Sequence, residues 1–436
     1  MNKKFRYGLI IAGFVIFGLV APLIVMFVSG KTFNWKTKKL VSTGIIAFKI
    51  EPKDANISLN NLAVEIGDAE LKQIRFLTGG EYKLTIKKPD YFPWQKSLYL
   101  EAGKVFWVKD ENKKIILLKT NQTIPARLQD VSEVVSDGKT IAVLAKNQLE
   151  VWHQNNTTTP EQYLLPQKTN QIIYTKDFHF LLTADDLPIK QTAYLIDQKT
   201  KKVIDLQKHL KNLNLSDFQF AEDNRLLALG ELGFYEYSQA NNQFKLLVQK
   251  AKAFTTLENL AYLIVESENT LALETLDLDS LKTQSLLANL PKLYQPQLAV
   301  NNQKNIFIID RTSLYQVSTL GLQTLTQNLG DLNIKTGQDT NSWLDSGELK
   351  FQTQGNPPVS ITRASETLKT PIILPDLDYA LFHNQKTITA LEINPEGGQN
   401  RYNLYSGTEI KKMGLVQNNT LLWILDQDQL KFLTIR

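Results

Sequence analysis

The chain has no cysteine in 436 residues. That excludes disulfide frameworks, thiolate metal sites, cysteine nucleophiles and a lipidated N-terminal cysteine. Histidine is scarce as well: His153, His179, His209 and His383 are the complete set, and no two stand at the H-x-x-x-H or H-E-x-x-H spacing that puts two ligands on one helix face. No G-x-x-x-x-G-K-[ST] cradle, no G-x-G-x-x-G fingerprint and no G-x-S-x-G elbow occurs. The doublet Asp185-Asp186 lacks the D-x-[DN]-x-[DN]-G continuation of a calcium loop and reads as a solvated turn before Leu187-Pro188. No catalytic motif, cofactor site or metal site is expected.

Acid is absent from residues 1–39, which carry seven lysines and arginines. Removing those seven from the 49 basic residues leaves 42 against 44 acids, a net of −2 for the rest of the chain. A near-neutral body has no electrostatic footprint for nucleic acid, which is excluded as a partner.

Within that basic segment lies Tyr7–Val28, YGLIIAGFVIFGLVAPLIVMFV, with no charge in 22 residues. At 1.5 Å per residue the run spans the roughly 30 Å hydrocarbon core, and it exceeds the usual 7–15 residue apolar core of a cleaved signal peptide. Residues 7–28 are therefore expected to be a transmembrane helix, preceded by a cytoplasmic head at 1–6 and followed by a basic stem at 29–41. A six-residue head favours a cytoplasmic N-terminus with the bulk of the chain extracytoplasmic. The flanking charges nearly balance, so the positive-inside rule decides little here.

From 42 to 119 short alternating runs replace the apolar block. Strands are expected at 45–50, 56–59, 73–77, 82–86, 96–100 and 114–118, separated by the turns Asn60-Asn61, Thr78-Gly79-Gly80-Glu81 and Lys87-Lys88-Pro89-Asp90. Several phrases here are similar to those of PEGA domains. Glu51-Pro52-Lys53-Asp54-Ala55 precedes an alternating strand, Gly80-Glu81-Tyr82 opens another, and Lys88-Pro89-Asp90-Tyr91-Phe92-Pro93-Trp94 follows it. Gly79 replaces a family proline, Asp90 a family glycine, and Asn60-Asn61 the family's turn after the second strand. The resemblance implies a small β-sandwich of cell-surface and envelope proteins, without catalytic apparatus. Tyr91, Phe92 and Trp94 are the candidate ligand-contact aromatics; the competing expectation is that they cap the sandwich core.

From 120 to 436 a theme recurs at about 35–46 residues, the spacing of propellers and solenoids. A polar turn leads into an apolar strand at Ser136-Asp137-Gly138-Lys139-Thr140, at Thr175, at Ala221, and near Thr256, Asn301, Asp339, Asp376 and Gln417. Outer strand pairs are read at 193–197 with 201–206, at 233–237 with 243–247 and at 401–405 with 408–412; short helices are read at Leu206–Leu215 and Leu276–Leu290. These units resemble WD-like and Tol-type β-propeller repeats. The expected fold is all-β after one transmembrane helix, a PEGA-like sandwich followed by a seven- or eight-bladed β-propeller. The last unit is too short for four strands, so closure is expected to borrow a strand from residues 115–130. Function is expected to be that of a membrane-anchored binding or scaffold protein of the bacterial cell envelope, with the lipid bilayer and an envelope protein or wall polysaccharide as partners. The alternatives are a carbohydrate-active enzyme built at the propeller mouth and a cytoplasm-facing scaffold.

Overall fold

The structure is a computed structural model. It describes residues 3–436 except 29, 35–37, 68, 121–122, 137–138, 154–155, 167–168, 170, 176–178, 186–190, 198–199, 207–212, 242, 269, 302, 319, 334–339, 354–356, 364–367, 375 and 417–419.

Helix α1 covers Lys3–Val28 and contains Pro22. Its described side chains lie between residues 12 and 25, about 20 Å of helix against the roughly 30 Å hydrocarbon core. Among the described residues no helix is long and apolar enough to cross a membrane. Phe14, Ile16, Phe17, Leu19, Ile24 and Val25 are all exposed, so no part of the body covers the described stretch of α1.

The described residues of the basic stem are largely paired. Strand β1 (Lys31–Asn34) runs antiparallel to the start of β2 (Lys39–Glu51), with Phe33 opposite Leu40. The hydroxyl of Thr43 donates to the carbonyl of Gly30 and its N–H does the same, which ties the end of α1 to the sandwich. β2 continues into a sheet with β5 (Leu71–Thr78) and, parallel to it, β8 (Val105–Trp107) and β9 (Lys114–Ile116). The facing sheet is β3 (Asn56–Leu59), β4 (Leu62–Ala63), β6 (Gly80–Lys87) and β7 (Trp94–Leu100), in the order β4-β3-β6-β7. Alternation sends Ile46, Phe48 and Ile50 of one sheet against Leu84, Ile86, Trp94 and Leu98 of the other, in one continuous core.

After the sandwich the described residues form eight four-stranded antiparallel sheets in sequence order. All eight polar-turn phrases named above fall at the turn between the first and second strands of a sheet, although residues 137–138, 176–177, 339 and 417–419 of those phrases lie outside the described residues. First strands touch their successors from blade one to blade five and from blade six to blade eight, and the first strand of blade eight (Ile410–Val416) touches that of blade one (Val131–Ser136). Between blades five and six, Phe307 and Leu314 pack on Trp343. Blade eight supplies only three strands of its own; its fourth is β10 (Thr123–Leu128), antiparallel to the last strand, Gln429–Thr434. The closing strand therefore comes from the segment the sequence nominated.

Most second strands read as nearly unbroken apolar runs because a blade lies on each side of them, Thr340–Asp345 of blade six being more polar. In Thr140–Ala145, Ala142 and Leu144 pack toward Phe180 and Leu182 of blade two, while Ile141 and Val143 pack toward Trp423 and Leu425 of blade eight. Two expectations fail here. Residues 276–290 contain no helix but the strands Thr270–Asp277 and Thr283–Leu290, paired across a turn, because Asp277 accepts backbone N–H groups from Asp279 and Ser280 and reverses the chain. The strands at 401–406 and 410–416 are not partners: one ends blade seven and the other begins blade eight. Most of the helix read at Leu206–Leu215 falls at 207–212, outside the described residues.

Candidate functional site

Tyr91, Phe92 and Trp94 do not form an open platform. The pleat of β7 turns Trp94, Lys96, Leu98 and Leu100 inward, and Trp94 is fully buried. The indole Nε1 of Trp94 donates to Glu392 Oε1 across 3.1 Å, reaching out of the sandwich into blade seven. Phe92 stacks on Tyr402 with ring centroids 4.9 Å apart, and Tyr402 donates its hydroxyl to the carbonyl of Pro93. Tyr91 stays half-buried beneath the ammonium of Lys88. The correction has a simple cause: the aromatics cap a joint between two domains, and a sequence shows only one side of a joint.

That joint is dense with charge. Lys96, 4% exposed, donates to the carbonyls of Asn394 and Glu396 at 2.7 and 2.8 Å and lies 3.6 Å from Glu392, which is fully buried. Asn400 Nδ2 donates to the other oxygen of Glu392 at 2.6 Å. Lys109 pairs with Asp378 at 3.0 Å. Burial pushes the Lys96 ammonium below its usual range, and the Glu392 carboxylate opposes that shift. Burial also pushes the Tyr379 and Tyr402 phenols up, the latter further from ionising than any solvated tyrosine. The loop 393–400, between the third and fourth strands of blade seven, is what reaches the sandwich. Ser97 N–H donates to the carbonyl of Gly397, whose φ is +73°. These partners satisfy one another, and the joint fixes the sandwich to the ring.

The ring presents a more open feature at one mouth, where first strands begin and second strands end. Six of the eight first strands carry a bulge or register shift near their start, at Ser132, Asp217, Lys252, Gly330, Thr370-Pro371 and Lys411. Bulges re-aim side chains and cluster beside functional sites. Aspartates at the ends of the second strands of blades five and eight brace the chain that enters those blades. Asp310 accepts the N–H groups of Tyr294 and Gln295 at 3.0 and 2.7 Å, and Asp426 accepts those of Thr408 and Glu409 at 3.0 and 2.8 Å.

Around blades three to five this mouth opens into a cleft of about 690 Å³ lined by Asp217, Lys252, Glu266, Lys292 and Tyr294 among others. Tyr294 is 61% exposed. The Arg311 guanidinium lies 4.0 Å from its ring centroid and the Lys292 ammonium 5.9 Å. Lys252 pairs with Glu266 at 2.8 Å, and that hydrogen bond holds the Glu266 carboxyl below the usual range. Partial loss of hydration raises the Asp217 carboxyl. A larger cleft beside Arg225 differs in kind, because its cation is consumed. Arg225 donates to the carbonyl of Leu278, to Asn259 and to Asp279, and so clamps blade three to blade four.

The two histidines with described side chains, His153 and His383, lie in different blades. His383 is fully buried, with Nδ1 2.8 Å from the carbonyl of Asn384 and Nε2 3.2 Å from the hydroxyl of Thr370. His153 Nδ1 lies 3.3 Å from the hydroxyl of Thr140. Nothing is described for His209, for the side chains of His179 and Asp185, or for Asp186. Among the described residues no group of three or more His, Asp or Glu could hold a metal ion. Lys96, Glu392, Tyr294 and Arg311 escaped the sequence reading. The one available signal was the phrase apolar-apolar-Asp at Ile308-Ile309-Asp310 and Ile424-Leu425-Asp426, which marks where a blade's first strand is braced.

No family model matches the chain, and no curated protein matches it. Solved structures similar to it include one described as a eukaryotic initiation factor, at 9% identity and a TM-score of 0.49, covering 80% of this chain and 90% of that one. A streptogramin B lyase structure is similar at 10% identity and a TM-score of 0.40, covering 73% of this chain and 97% of that one.

Proposed function

We propose that the chain is a membrane-anchored, extracytoplasmic scaffold whose propeller-like ring offers its bulged mouth to a partner in the bacterial cell envelope. The observation that carries this reading is the uncovered state of α1. An uncharged run of 22 residues continues into a helix whose described side chains are apolar and exposed, a costly arrangement in water and a favourable one in lipid. The buried joint supports the scaffold half of the reading. It couples sandwich to ring rigidly, so an anchor on the sandwich confines the ring to one surface and raises its effective concentration toward partners there.

The sandwich is, on this reading, of the PEGA type. Two of its departures from the family phrases, at Asn60-Asn61 and at Asp90, are compatible with that assignment, because they sit where the backbone is left-handed. Asn60, Asn61 and Asp90 have φ of +50°, +65° and +64°, conformations that glycine, asparagine and aspartate share.

The test is extraction of the full chain from bacterial membranes. The chain is expected to resist high salt and alkaline carbonate and to be released by detergent. A Phe17→Lys, Leu19→Lys variant, which puts two charges into the apolar run, is expected to move to the soluble fraction. Release of the unaltered chain by salt alone would overturn the anchor.

A further inference from the structure

We infer that the cleft over blades three to five is a binding site for a hydroxyl-bearing polyanion, a linear polymer with regularly spaced single negative charges. Two cations, Lys292 and Arg311, converge on the exposed ring of Tyr294, and neither has a carboxylate partner among the described residues. Their charge is available to a ligand, unlike that of Arg225, whose guanidinium is already shared among blade four acceptors.

Asp217 and Glu266 supply acceptors on the cleft that Lys292 and Tyr294 line, with Lys252 beside Glu266 and Arg311 reaching its rim over the Tyr294 ring. An anion-only ligand would be repelled by those carboxylates. A neutral glycan would leave the two cations without partners. A chain that alternates anionic groups with hydroxyls satisfies both sides: the anion takes charge-assisted hydrogen bonds from Arg311 and Lys292, and hydroxyls donate to the carboxylates. The exposed Tyr294 ring adds an amphipathic surface at low entropic cost.

The site is held by backbone contacts. Asp310 fixes the backbone of Tyr294 and Gln295 through two hydrogen bonds, and Arg311 follows Asp310 directly with φ of +55°. The Tyr294 ring and the Arg311 guanidinium are thus set by one brace. Lys252 and Asp217 occupy the bulges of the blade four and blade three first strands, so the second side of the cleft is also set by backbone geometry.

The inference rests on the mouth being the binding face. It does not depend on where the protein resides, since affinity is measured with the full chain in detergent. The probes are poly(glycerol phosphate), which presents phosphodiesters, polygalacturonate, which presents carboxylates, and dextran as a neutral polymer. The expected result is binding of at least one anionic probe and not of dextran; which one binds identifies the source of the charge. Lys292→Ala with Arg311→Ala should weaken that binding about tenfold or more, the loss of a charge-assisted hydrogen bond or two. A control pair, Lys245→Ala with Lys282→Ala, removes the same charge from exposed positions away from the mouth and should leave binding unchanged. Unaltered melting of both pairs establishes that the fold is intact. Equal binding of dextran, equal loss in the control pair, or no binding of either anionic polymer overturns the site. Resistance to salt extraction remains a separate measurement, so the anchor can stand or fall independently.

Discussion

Trp94 and Glu392, 298 residues apart in the chain, meet through a hydrogen bond of 3.1 Å with both side chains fully buried. Lys96 completes the charge balance from the same strand as Trp94. Removing one partner of such a group strands the other away from water. Lys96→Met is expected to cost about 3 kcal/mol, because the fully buried Glu392 loses its cationic partner. The double variant Lys96→Met, Glu392→Leu should recover a large part of that loss. Urea midpoints of the two singles and the double give the coupling; simple additivity would refute the pairing.

Gly397 should be irreplaceable in the same joint. Its φ is +73°, and a Cβ built there would stand 2.1 Å from the carbonyl oxygen of Ser97. Gly397→Ala therefore has to push loop 393–400 off β7. Hydrogen exchange is expected to accelerate at Ser97 and in β7 while blades two to five stay protected. Unchanged protection at Ser97 would contradict the contact.

Asp426 links the closure blade to pH. Partial burial would raise its carboxyl. Hydrogen bonds from Lys431, from the Glu409 N–H and from the Tyr405 hydroxyl outweigh that and hold it at about 2. A carboxyl depressed in the folded state stabilises above its unfolded value, and that contribution is lost as pH falls through the folded one. The fold should lose on the order of 1–2 kcal/mol between roughly pH 4 and pH 2 through this group. Asp426→Asn should be less stable at pH 7 and should show a shallower slope across that window. An unaltered slope would remove Asp426 from the account.

Closure makes the last strand disproportionately important. Gln429–Thr434 is hydrogen-bonded on one side to Leu421–Asp426 and on the other to β10. Ending the chain after Asp428 unpairs β10 and opens the ring at blade eight, exposing strand edges that the closed ring covers. The truncated protein is expected to lose cooperative unfolding and to aggregate in size-exclusion chromatography. A monodisperse, cooperatively folding product would show that β10 does not close the ring.

Local patterns carried the repeat architecture. A turn of Asp, Asn or Gly before an apolar run marks the first hairpin of each blade, because that turn is made by neighbouring residues and needs no distant partner. The shortfall of strands after Gln417 likewise pointed to a borrowed strand, since an unpaired edge is unfavourable wherever the ring is cut. Failures arose where distant partners decide. Lys96 alternates in step with Trp94 and Leu98, yet nothing near it in sequence reveals Glu392, Asn394 or Glu396. The parallel pairing of β8 and β9 with β2 is equally long-range. Leu276–Leu290 is leucine-rich enough to suggest a helix, and the Asp277 turn reverses it. The strands at 401–406 and 410–416 have the short spacing of a hairpin, but each finds its partners in a different blade. The Tyr294 cleft was invisible because its residues come from three blades.

The absence of native cysteine permits a direct measurement of the central claim, that the body stands outside the membrane on a lipid-embedded helix. A single cysteine is placed at exposed Lys282 on the ring, or at Lys3 in the head, in full-length protein within intact bacterial cells. Both are challenged with a maleimide that does not cross the membrane. The account predicts labelling of Lys282→Cys in intact cells, and labelling of Lys3→Cys only after the cells are opened. Labelling of Lys3→Cys with protection of Lys282→Cys, or protection of both with the protein in the soluble fraction, would contradict it.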